Sequence, residues 1–95
     1  MDYESFINST SLDTPPEKIS PYLQALWYDA KDDWEMSHHI AQDIPDKNGS
    51  WIHAYLHRKE GDRFNAGYWY NKAGKTFPSF SLEEEWNQLA KAFSQ

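Results

Sequence analysis

The chain has no cysteine, no long apolar run and no cluster of basic residues, and each absence removes a class of function. Without cysteine there are neither disulfides nor thiolate metal ligands. No stretch approaches the ~20 apolar residues needed to span a bilayer, and the acidic start Met1-Asp2-Tyr3-Glu4 opens no signal peptide. A cytoplasmic protein without membrane contact is expected. Fifteen Asp and Glu against nine Lys and Arg give a net charge of −6, with no basic cluster to neutralise phosphates, so nucleic acid is an unfavourable partner. The four glycines never gather into a phosphate-cradling loop. Aromatics, by contrast, are abundant: five Trp, six Tyr and five Phe among 95 residues. A domain this small buries only about 60–65% of the surface its unfolded chain exposes, so these large side chains must supply much of the core.

The pattern predicts one all-α domain, residues 1–95, with about five helices. Residues 1–19 form an N-terminal segment and loop, in which Pro15-Pro16 forbids a helix. Residues 20–45 form a first helical hairpin, opened by Ser20 as N-cap with Pro21 at the first helical position and jointed at Asp32-Asp33. Asp33 caps its second helix, which Pro45 ends. Residues 48–74 form a second hairpin, capped by Ser50 or Asn48, jointed at Gly61-Asp62 and ended by Gly74. In 81–94, Ser81-Leu82-Glu83-Glu84 is a capping box, and Leu82, Trp86, Leu89 and Phe93 share one side of a closing helix. Glu83, Glu84 and Glu85 suit a first turn through the helix dipole alone.

Gly61-Asp62 followed by Ala66, Tyr70 and Ala73 resembles the second half of a tetratricopeptide repeat, and Ala54 sits at that motif's small position in the preceding helix. Ala25, Tyr28, Asp32 and Ser37 match the same places upstream, although the joints lie 29 residues apart against about 34 in that repeat. The resemblance implies two antiparallel hairpins in a right-handed stack, with Ala54 and Ala66 at close helix crossings. The wording His-Ala-Tyr-Leu-His-Arg-Lys-Glu-Gly-Asp and Tyr-Trp-Tyr-x-x-Ala-Gly also resembles a family of small uncharacterised proteins and implies no activity.

Chemistry concentrates on the helix after Ser50. His53, His57 and Glu60 stand at i, i+4, i+7, so they share one side, while Trp51, Ile52, Tyr55 and Leu56 cover the other. Two imidazoles so spaced can share a divalent ion, with Glu60 as a third ligand, and His38 on the neighbouring helix could join them. His39 projects away toward solvent. A stable site needs a third and usually a fourth ligand, which this helix alone does not demonstrate, so no metal or other cofactor is expected. Should a metal bind, His38, His53, His57 and Glu60 are the candidates. Arg58 is assigned to a solvated ion pair beside Glu60. No nucleophile sits in a strained strand-to-helix turn, so a hydrolase triad is not indicated.

The following helix is apolar on two sides: Ala66, Trp69, Tyr70 and Ala73 on one, Phe64 and Tyr68 on the other. The second side must be covered, by the closing helix, by a partner or by a second copy in a homodimer. The expectation is that the closing helix covers it. The leading functional reading is a non-catalytic module that binds a protein, a peptide or a small ligand in an aromatic groove between helices, with His38, His53, His57, Arg58, Glu60, Phe64 and Tyr68 as candidate contacts. The alternative is a metal-dependent or acid–base enzyme centred on His53, His57 and Glu60; convergence of His38 with that pair within ligand distance favours this alternative, and side chains pointing to bulk water count against it.

Overall fold

A computed structural model describes all 95 residues and contains only helices: α1 (Tyr3–Ser9), α2 (Pro21–Ala30), α3 (Trp34–Gln42), α4 (Lys47–Glu60), α5 (Arg63–Ala73) and α6 (Leu82–Phe93). No helix is long and apolar enough to cross a membrane. Each helix starts at an Asp or Ser whose side chain accepts the backbone N–H three residues on: Asp2, Ser20, Asp33, Asp46, Asp62 and Ser81. Such a cap satisfies one of the orphan donors of the first turn. α4 ends at Gly61 in the left-handed region, at φ 89°, and Asp62 N–H closes back on the His57 carbonyl. A Cβ would be strained there.

Two boundaries differ from the sequence expectation. The N-terminal segment is a true helix, which makes six rather than about five. Asp2 caps it, Phe6 is fully buried, and Trp27 Nε1 donates to the Ser9 carbonyl at 2.9 Å, so tertiary contacts hold a segment too short to be stable alone. α4 begins at Lys47, capped by Asp46, so Asn48, Gly49 and Ser50 are helical rather than a turn and caps. Gly49 allows the tight entry from α3, because a Cβ on it would lie 2.4 Å from the Ile44 carbonyl oxygen.

α2 packs on α3 and α4 on α5 as consecutive helical hairpins, while α3 also packs on α4. α4 is the central element: Ile52, His53, Ala54, Tyr55 and Leu56 are all buried, so no side of its middle faces water. Ala54 and Ala66 are both 0% exposed and cluster with Tyr70, which sets the close approach of α4 and α5. The main core gathers Phe6, Leu23, Leu26, Trp27, Leu56 and Leu89 from four helices.

α6 does not cover the Phe64/Tyr68 side of α5. It packs on α2, α4 and α1, with Trp86 stacked on Phe6, Phe93 stacked on Tyr22, and Trp86 Nε1 donating to the Leu26 carbonyl. The aromatic side chains of α1 and α2 meet its apolar stripe, and Phe64 and Tyr68 remain 88% and 53% exposed.

Candidate metal centre between α3, α4 and α5

The turn between α2 and α3 places α3 along α4 so that His38 meets His53 and His57. His38 Nε2 and His53 Nε2 are 2.9 Å apart, a hydrogen bond in which one ring carries the proton and the other accepts it. One nitrogen from each of the three histidines lies within 4.8 Å of the others. His57 turns its Nδ1 to Glu60, 3.0 Å away, one turn along α4. His39 is exposed on the far side of α3, as its position predicts.

Two tryptophans wall the cluster. Trp69 of α5 stacks on His53 with ring centroids 4.0 Å apart, and Trp34 of α3 stacks on His38 at 4.7 Å while meeting His57 edge-on. Trp34 is fixed in turn, since its Nε1 donates to the Leu56 carbonyl at 2.8 Å. The close α4–α5 approach over Ala54 and Ala66 is what brings Trp69 onto His53.

Burial above all keeps His38 and His53 neutral. His53 is 7% exposed, and its pKa is lowered to about 4, first by burial and then by the neighbouring His38 and His57. His38 is lowered as well, chiefly by burial and then by His57, against the opposing pull of Glu60. At neutral pH both present lone pairs rather than charge, which is the protonation state a metal requires.

The geometry suits a first-row ion. Tetrahedral ligation at ~2.0–2.1 Å puts ligand nitrogens about 3.3 Å apart, so the His38–His53 pair must open by about 0.4 Å and the widest pair close by no more than about 1.5 Å. Side-chain torsions supply such moves. The Glu60–His57 contact has the form of a carboxylate orienting a ligand imidazole, with Nδ1–H held so that Nε2 is free to coordinate. A second trio, His57, Glu60 and Asp62, is weaker, because the Asp62 oxygens are occupied by Asn65 N and Asn65 Nδ2 at the start of α5.

The remaining candidates fall elsewhere. Arg58 is not a solvated partner of Glu60: its Nη1 donates to the buried Glu85 at 2.9 Å, and its Nη2 donates to the Phe80 carbonyl. Glu85, whose place in a first turn predicts exposure, is 1% exposed and accepts from Tyr70 Oη at 2.7 Å and Trp51 Nε1 at 3.2 Å. Across α4, Asp29 is 2% exposed and accepts from Tyr55 Oη at 2.7 Å and Lys59 Nζ at 2.8 Å. Burial first, and the adjoining carboxylates next, raise the pKa of both tyrosines. They donate and do not ionise near neutrality. Neither acid was a candidate in the sequence, and the only signal was Tyr and Lys or Arg at complementary places on α4 and α5. Phe64 and Tyr68 lie apart from the histidines, on the outward face of α5.

No protein-family model, curated protein or solved structure matches this chain.

Proposed function

We propose that this protein is a non-catalytic binding module whose aromatic inter-helix groove holds a divalent transition-metal ion through His38, His53 and His57. The observation that carries the reading is the convergence of three imidazole nitrogens within 4.8 Å, two of them on rings kept neutral by their surroundings. The sequence argument against metal rested on a missing third ligand, and His38 supplies a candidate for it. An all-imidazole, thiolate-free set suits Zn²⁺, Ni²⁺ or Cu²⁺ over the oxygen-seeking Ca²⁺ and Mg²⁺. Bound there, the ion would tie α3 to α4 and leave a position for water or a further donor. We also read the two hairpins as a tetratricopeptide-like stack, on the strength of Ala54 and Ala66 at the α4–α5 crossing of the second and Ser37 buried against the Ala25 carbonyl in the first.

Binding is favoured over catalysis because of access. None of the five principal surface cavities is lined by His38, His53 or His57, so the cluster does not open onto a pocket of the size an organic substrate needs. The test is metal analysis joined to thermal melting. Stoichiometric Zn²⁺ or Ni²⁺ is expected to stabilise the fold by about 2.7 kcal/mol at a hundredfold excess over Kd. His38→Ala and His57→Ala should abolish that response, and Mg²⁺ should not produce it. Absence of stoichiometric binding, or an undiminished response in His38→Ala, would remove the reading.

A further inference from the structure

We infer that the outward face of α5 is a docking surface for an acidic segment of another protein. The first ground is exposure. Phe64 is 88% exposed and Tyr68, one turn further along the same face, is 53% exposed, in a chain whose other aromatic side chains are mostly packed. Exposed apolar surface rimmed by polar groups is a feature of protein interaction sites.

Charge supplies the second ground and selects the occupant. From Arg63 to Leu82 the chain carries Arg63, Lys72 and Lys75 and no carboxylate, while the other residues hold all fifteen acids and six bases. This segment is therefore +3 and the remainder −9 in a molecule of net −6. Of the three, only Lys72 belongs to the aromatic face, its Nζ lying 5.5 Å from the Tyr68 ring centre and 5.2 Å from that of Trp69, whereas Arg63 sits over the Phe77 ring and Lys75 over that of Trp51. The nearest preceding acid, Asp62, is already engaged with Asn65. An incoming carboxylate would find Lys72 beside the Tyr68 ring, and an apolar residue about 12 Å further along the segment would find Phe64.

The same features disfavour other occupants. A stable dimer needs about 800 Å² from each partner, whereas two exposed aromatics and their surroundings offer a few hundred. In a two-fold pairing of this face, moreover, Lys72 would meet a second α5, which carries no carboxylate to pair with it. A single cation on this face of a net acidic protein gives little counterion release, which disfavours a nucleic acid strand. A short acidic segment bearing apolar anchors fits both the extent and the sign. Neither ground involves the histidines themselves; Lys72 borders Trp69, which stacks on His53, so Phe64→Ser is the variant that separates this surface from the metal centre.

The probe is the random copolymer poly(Glu,Tyr), with poly(Lys,Tyr) as the control, followed by calorimetry and amide chemical-shift mapping with and without a chelator. Poly(Glu,Tyr) should bind and the lysine polymer should not. Shifts should fall on residues 63–75, binding should weaken with salt and the chelator should not matter. Phe64→Ser and Lys72→Glu should each weaken binding about tenfold or more while melting stays unchanged, since both side chains are exposed. Equal binding of both polymers, shifts elsewhere or indifference to Phe64→Ser would overturn the inference. So would a Phe64-dependent dimer in sedimentation, or oligothymidylate binding through the same residues.

Discussion

α4 has buried polar groups on both flanks, and the two flanks are built on opposite terms. Toward α2 and α6, Asp29 and Glu85 each sit in a saturated network: Tyr55 and Lys59 hold one, and Tyr70, Arg58 and Trp51 hold the other. Toward α3, three imidazoles crowd together with one contact joining His38 to His53 and one joining His57 to Glu60. In the two acid networks every carboxylate oxygen already has a donor, whereas the histidine cluster holds one shared proton between His38 and His53 that an incoming cation would displace. Burial alone therefore does not mark a site; what remains unspent after burial does.

The largest effect is expected where the saturated network is broken. Glu85→Ala would leave the Arg58 guanidinium and the donors of Tyr70 and Trp51 without their acceptor, and removing one partner of a buried pair costs about 3–5 kcal/mol. At ~4–8 °C per kcal/mol for a domain of this size, Tm should fall by more than about 12 °C. Glu84→Ala, one position earlier and exposed, should stay within about 0.5 kcal/mol in the same denaturation experiment. Equal losses at the two positions would show that Glu85 belongs to the first turn and not to a network.

The next effect tests how the two flanks are joined. Ala66→Leu would overpack the α4–α5 crossing, at a cost of about 1–3 kcal/mol. It would also lift Trp69 from His53, so melting should fall and affinity for Zn²⁺ should weaken with it. Loss of stability with intact metal binding would mean that the Trp69 stack does not hold the imidazole in place.

Much of this organisation was legible because it depends on local chemistry. Ser20, Asp33, Asp62 and Ser81 announce their helices by capping, and Gly61 and Gly74 end theirs in the left-handed conformation. His38 was placed beside His53 and His57 because a short turn obliges α3 to neighbour α4. What the sequence hid was tertiary choice. α1 exists because Trp27 and the core hold it, and α4 starts early because Gly49 fits under Ile44. Glu85 looks like its neighbours Glu83 and Glu84 until the helix is seated, when a 100° step turns it inward to Arg58. The destination of α6 was likewise undecidable from its stripe, which could have met Phe64 as readily as Phe6.

The smallest effect belongs to histidine titration, whose slope of stability against pH is nearly flat at pH 7 and steepens below it. The His53 pKa is about 4 in the folded protein and about 6.5 in the unfolded chain. Between those values the unfolded state binds more protons, so stability rises with pH. The contribution is complete above about pH 6.5 and is lost as pH falls toward 4, with His38 shifted in the same direction. His53→Phe keeps a ring against Trp69 but removes the proton site, so the slope of stability against pH across that window should flatten. The carboxylate networks give the contrasting control: Tyr70→Phe removes a donor to Glu85 without changing the histidine titration, and should lower the curve without flattening it. If His53→Phe left the slope unchanged, the ring would be titrating in the folded state as it does in the unfolded chain. The distinction between the two flanks of α4 would then rest on metal binding alone.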